Sequence, residues 1–268
     1  MSRVNQTLEV VDKGEAGDRH RTPLLFVHGA FHSAWCWDEH FLDFFADRGY
    51  RAVALNLRGH ANSPSPTPLS RCTVADYVDD VHAVAQGLPT PPVVIGHSMG
   101  GFVVQKYLAA HVAPAGVLVA SAPPRGLVPA VARIIRTHPR HSARTRSLDK
   151  PLEFFGTPQI ARALFYSPGT PDELVDRYVG RLQDESTRVL YRDLTFGDLA
   201  QPRRVSAPML VLGAELDGFF SMREVRATAR AYRTVAEFFP AMGHNMMLEP
   251  GWAAVAEHID TWLTGQGL

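Results

Sequence analysis

Cysteine is nearly missing from this chain: Cys36 and Cys72 are the only two in 268 residues. They form no C-x-x-C pair and no Cys/His spacing suited to zinc. A disulfide scaffold is therefore excluded, no metal is expected, and both thiols read as small packing residues in a reduced setting. No window approaches about 18 uninterrupted apolar residues, so no membrane span is expected. The opening stretch MSRVNQTLEVVDKGEAG lacks the basic-then-apolar layout of a signal peptide, and a cytoplasmic location is the expectation. An excess of one charge is also absent, with 27 basic against 27 acidic side chains. That balance gives no support for a nucleic-acid partner, whose footprint would be basic.

What is present is ordinary for a globular protein, 46% hydrophobic and 20% charged. The length allows one large domain with an inserted subdomain. Short apolar runs alternate with helix-length amphipathic segments. The runs are PLLFVHG (23–29), RAVALNL (51–57), PPVVIGH (91–97), AGVLVAS (115–121), PMLVLGA (208–214) and VAEFFP (235–240). Strands covered on both faces read as continuous apolar stretches, so this pattern predicts an α/β fold with a mostly parallel sheet and helices on both sides. TLEVVD near the start is expected as an antiparallel edge strand. Helical patterns occupy 34–48, 73–88, 99–111, 222–233 and 250–264. In the second, Val74, Tyr77, Val78, Val81, Ala85 and Leu88 mark an apolar face opposite Asp76, Asp79 and Asp80.

The alternation breaks between about Pro123 and Val205. Short helices are expected there, in GLVPAVARIIRTH, FGTPQIARALFYS, PDELVDRYVGRLQDES and TRVLYRDLTFGDL. The expected organisation is a core of 1–122 and 206–268 with a helical cap, 123–205, inserted late in the sheet. Residues 125–204 hold 14 Lys and Arg against 9 Asp and Glu. Six arginines and no acid lie between Arg125 and Arg146. A solvated helical face accounts for this, and a contact for an anionic group is the alternative.

Gly96-His97-Ser98-Met99-Gly100 has the form G-x-S-x-G between a strand and a helix. A plain turn would fit the string alone. The strand–turn–helix setting favours a nucleophile on a sharp bend, with small residues at Gly96 and Gly100 letting the chains approach. The helix beginning at Met99 aims its first amides at the place where negative charge would develop.

On this motif the chain resembles the α/β-hydrolase superfamily from about residue 20 to its C-terminus. The resemblance implies a triad in the order serine, acid, histidine, each after a strand. PMLVLGAELDGFF supplies Asp217, with Glu215 as the second candidate acid, and VAEFFPAMGHNMMLEP supplies His244. It also implies an oxyanion hole of two backbone N–H groups. One is that of Met99; the other belongs to Ala30 or Phe31 in FVHGAFHSAWCW, which is similar to HGACHGGW-type loops of plant methyl esterases. Ala30 is preferred there, with His28 bracing the loop. LNLRGHANS (55–63) echoes the D-x-R-G-H-G-x-S loop of the family, with Asn56 and Ala61 departing from it.

The resemblance implies hydrolysis of a carboxylic ester, through an acyl-enzyme and with no cofactor. Serine at position 98 argues against haloalkane dehalogenases and epoxide hydrolases, which use Asp there. Hydroxynitrile lyases typically carry Thr where Gly29 stands and a Lys beside the histidine, and GHNMMLEP has none. C–C bond hydrolases, cofactor-free perhydrolases or haloperoxidases, and a non-catalytic ligand receptor stay open. Pocket candidates are Phe31, Phe154, Phe155, Phe165 and Phe219, with Leu152, Leu164, Met99 and Phe220 beside them; Trp35 and Trp37 are expected to pack the first helix. The expected partner is a small to medium apolar or aromatic ester, with a homodimer left open.

Overall fold

The structure, a computed structural model, describes residues 7–17, 20–139, 151–197 and 199–268. Arg140, Arg144 and Arg146 of the arginine-rich stretch lie outside the described residues. Among these residues seven strands form one sheet: β1 (Val10–Lys13), β2 (Leu24–Val27), β3 (Ala52–Leu55), β4 (Val93–His97), β5 (Gly116–Val119), β6 (Met209–Ala214) and β7 (Ala236–Phe239). Their order is β1-β3-β2-β4-β5-β6-β7. All pairs are parallel except β1 with β3, where Val10 faces Leu55 and Lys13 faces Ala52.

Every residue of β2 through β6 is buried, because alternate side chains enter cores on opposite faces. Leu24 and Phe26 of β2 join one cluster, while Leu25 and Val27 join the other. The first face is covered by α1 (Trp35–Asp38), α2 (Phe41–Ala46) and, near the C-terminus, Trp252–Gly265. Helices α3 (Val74–Gln86), α4 (Met99–Ala110) and Met222–Ala231 cover the second. Capping boxes start two of them, Thr73 with Asp76 and Ser221 with Glu224. The segment expected as one helix over 34–48 is instead two. His40 leaves the helical region at φ −147°, and its ring stacks flat on Trp252 at 4.6 Å. Trp37 is fully buried against Phe26 and Phe41, and Trp35 stacks on Tyr178.

Between β5 and β6 the described residues form helices and no strand: α5 (Val128–Thr137), α6 (Pro151–Phe155), α7 (Pro158–Phe165) and α8 (Asp172–Val179). A π-helical turn (Val189–Asp193) and a short 3-10 turn (Pro202–Arg204) follow. The pattern over 171–186 yields less helix than expected. After Gly180 the chain turns back to the loop that follows β2, where the Gln183 amide N–H donates to Phe31 O at 2.9 Å.

The strand order reverses at β2, with β3 added on one side of it and β4 on the other. In an open parallel sheet this switch point opens a crevice at the strand C-termini. Gly29 follows β2 and Ser98 follows β4, so the fold brings both to that crevice.

Candidate active site

Ser98 holds φ +51° and ψ −118°, a backbone region that L residues rarely occupy. Its N–H donates to Val119 O, and its carbonyl accepts from Phe102 and Ala122. These bonds pin the bend from both sides. A Cβ on Gly100 would overlap the carbonyl oxygens of Val27 and His28, and one on Gly96 would overlap the Gly100 carbonyl. The turn therefore exists only with glycine at both positions.

His244 Nε2 lies 2.9 Å from Ser98 Oγ, and His244 Nδ1 lies 2.9 Å from Asp217 Oδ2. The other Asp217 oxygen, Oδ1, accepts the N–H groups of Phe219 at 2.7 Å and Phe220 at 2.9 Å. That carboxylate has no side-chain exposure, so its orientation is fully specified. Glu215, the second candidate acid, is exposed.

The loop carrying His244 is braced by groups that sequence reading missed. His97 Nε2 donates to the His244 carbonyl at 3.1 Å, and Asn245 N–H donates to Phe165 O. Buried Glu249 accepts from the Ser167 amide and hydroxyl and from the Thr170 hydroxyl. A polar residue within an apolar stretch, such as Asn245 beside Met246 and Met247, was the only sequence signal for them.

The loop after β2 is held as tightly. Gly29 O accepts from His28 Nδ1 at 2.9 Å and from the His32 amide at 3.3 Å. The Leu57 N–H donates to His28 Nε2, which leaves the proton of the neutral ring on Nδ1. Because a trans peptide sets C=O and N–H on opposite sides, pinning Gly29 O also fixes where Ala30 N–H points. Ala30 O and Phe31 O are held by His32 Nδ1 at 2.8 Å and by the Gln183 amide. Gly29 itself packs against Ser98, and a Cβ there would lie 3.1 Å from the Ser98 Cβ. Met99 is the first residue of α4, and the first amides of a helix have no partner within it.

Above Ser98 lies a narrow cavity of about 90 Å3. Phe31, Phe155, Phe165 and Phe219 line it, with Phe220 and Met99. Helix α5 adds Ala130, Val131 and Ile134, and the π-helical turn adds Leu190 and Tyr191. Phe154 does not line it, contrary to expectation. It packs instead in a small cluster with Ile134, Ile160 and Leu164. Leu152 and Leu164 are likewise absent from the lining. The rings of Phe219, Phe220 and Phe165 lie 4.7, 5.4 and 6.2 Å from that of His244, so water is scarce around the imidazole.

Residues 24–258 match the model of the alpha/beta hydrolase family. The chain belongs to that family. Among curated relatives, the chain is 40% identical over 113 residues to a non-heme chloroperoxidase of Streptomyces lividans, covering 40% of each chain. It is 31% identical over 80 residues to methylesterase 18 of Arabidopsis thaliana, covering 29% of this chain and 30% of that one. The matched stretches thus span well under half the length of these relatives. In fold it is similar to a thermophilic esterase from Thermogutta terrifontis, with a TM-score of 0.74 and 22% identity over 97% of this chain and 94% of that one. Among the described residues no group of three or more His, Cys, Asp or Glu is placed to hold a metal ion. No described helix is long and apolar enough to cross a membrane.

Burial sets an acid limit on this arrangement. It lowers the pKa of His32 to about 4 and those of His28 and His97 well below 6.5. An unfolded histidine takes its proton near 6.5, whereas these folded rings refuse it. Their stabilisation is therefore complete above pH 6.5 and is lost as the pH falls towards 4, at about 1.4 kcal/mol per pH unit for each histidine. Thermal midpoints at pH 7.5, 6 and 5 are expected to fall with increasing steepness; a flat profile would show that the three rings protonate in the fold.

Proposed function

We propose that this chain is a serine hydrolase that cleaves carboxylic esters of small to medium apolar or aromatic acids through an acyl-enzyme. The observation that carries the reading is the hydrogen-bonded row Asp217–His244–Ser98, whose Ser98 and His244 line an apolar cavity. A serine hydroxyl is a weak nucleophile until a base takes its proton. His244 Nε2 takes it as Oγ attacks the ester carbonyl, then delivers it to the leaving alcohol. Asp217 holds the imidazole in the tautomer with hydrogen on Nδ1 and stabilises the imidazolium. The Ala30 and Met99 amides receive the tetrahedral oxyanion. Water, deprotonated by His244, then releases the acid. Residues 123–205 act as the cap that closes the acyl pocket.

A second reading is favoured by the similarity to the chloroperoxidase. Hydrogen peroxide would replace water at the deacylation step, releasing a peracid and regenerating the serine. A panel of p-nitrophenyl esters from C2 to C16, with and without peroxide, separates the two. Turnover is expected to be greatest for short acyl chains and to be lost in Ser98→Ala. Absence of turnover on every ester, or full activity in Ser98→Ala, would overturn the proposal; peracid formation outpacing hydrolysis would favour the second reading.

A further inference from the structure

His60 follows β3 in the RGH stretch, and the mechanism above assigns it nothing. Neither its side chain nor that of Glu185, from the segment between β5 and β6, has any exposure. His60 Nε2 lies 3.1 Å from Glu185 Oε2, and His60 Nδ1 lies 3.2 Å from Arg58 O. Both neighbours are acceptors. A neutral imidazole has one N–H and would leave a lone pair facing oxygen, so only the imidazolium satisfies both contacts. Glu185 accepts further from the Tyr77 hydroxyl at 2.7 Å and the Ser186 amide at 2.6 Å, which suits a carboxylate. Burial opposes the charge on His60, but the Glu185 carboxylate outweighs it and the pKa is raised.

The His60 ring also packs on that of His28, with centroids 4.9 Å apart. The charged and titratable groups around the pair are Tyr77 from α3, at 5.9 Å between rings, His28, and Cys72 near the tyrosine. Arg58, in the same loop as His60, is already paired with Asp80 and Asp76. The result is a buried dipole with its negative end on Glu185 and its positive end against the histidine that pins the Gly29 carbonyl.

We propose that Glu185 and His60 are positioning residues for the oxyanion site: together with its burial, the pair keeps His28 neutral, in the tautomer that turns the Ala30 N–H towards Ser98. The inference rests on the ester-hydrolase reading. A second proton on His28 would sit at Nε2, which accepts from Leu57, and would break the bond that anchors the loop. The positive ring of His60 opposes that proton. It also places positive charge behind the peptide that meets the oxyanion, where a preorganised field counts most. A buried ion pair gives little net stability by itself.

Glu185→Gln tests this with little steric change. The glutamine oxygen still accepts from Tyr77 and Ser186, its NH2 donates to His60 Nε2, and His60 becomes neutral with its proton towards Arg58 O. Only the charge is deleted. On p-nitrophenyl butyrate, kcat is expected to fall about tenfold with KM little changed, a fraction of the loss seen when an oxyanion donor is removed. In the 15N spectrum of histidine-labelled full chain at pH 7.5, the wild type is expected to show one imidazolium with both N–H protons shielded from exchange, and E185Q to lack it. A folded E185Q with unchanged kcat would overturn the proposal, as would kcat, KM and thermal midpoint changing together, the mark of a merely structural tie. Should E185Q fail to fold, the wild-type spectrum decides: no shielded imidazolium means no positioning charge. Should the wild type hydrolyse no ester, the proposed function falls separately, and the same spectrum still decides the state of His60.

Discussion

Asp217→Asn is expected to lower kcat by about 10^4-fold while leaving the fold intact. The size follows from how the carboxylate is held. Oδ1 accepts two backbone N–H groups, from Phe219 and Phe220. An asparagine must keep its carbonyl oxygen on those donors, since an NH2 there would meet them head-on. Its NH2 then points at His244 Nδ1. That nitrogen can face a donor only with its lone pair, so the ring proton moves to Nε2, against Ser98 Oγ. A ring protonated at Nε2 cannot take the serine proton. KM for a short ester should change little, because Asp217 does not line the cavity. A variant within tenfold of wild-type kcat would show that the tautomer argument is wrong.

Gly100→Ala is expected to lose about 3 kcal/mol or more of stability, beyond the usual range for one added methyl. Overpacked cores normally yield by turning a side chain. Here the new carbon meets two backbone carbonyls, those of Val27 and His28. They belong to the end of β2 and the start of the oxyanion loop, and Val27 is paired in register with Gly96. Relief therefore means separating two central strands or displacing the loop. Urea unfolding would show a midpoint shifted strongly down, and the residual folded fraction would have lost most of its kcat. The same change at exposed Gly265, where nothing lies within 4 Å of the added carbon, should be nearly neutral.

The sheet was readable in the sequence because coverage on both faces leaves β2 through β6 apolar except for His97 at the end of β4. The bends holding Ser98 and Asp217 were readable because each follows such a strand, and that of His244 because it follows the half-buried β7, in the order the family resemblance implies. Groups that hold those bends were not. His97 reaches the His244 carbonyl across 147 residues, Asn245 reaches His32 across 213, and Glu185 reaches His60 across 125. No local period marks such partners; they meet only because the sheet order and the segment after β5 bring them together. Phe154 failed for a related reason. Composition marks it as apolar but not which side of a five-residue helix it takes, and Phe155 took the cavity side.

The proposed chemistry stands on Ser98 being a nucleophile that His244 activates. The most direct measurement is treatment of the wild type and Ser98→Ala with a serine-directed phosphonate, followed by intact mass and peptide mapping. One adduct per chain is predicted, on Ser98, with parallel loss of ester hydrolysis and no adduct in Ser98→Ala. A wild type that stays unlabelled, or an adduct that persists elsewhere in Ser98→Ala together with ester turnover, would contradict it.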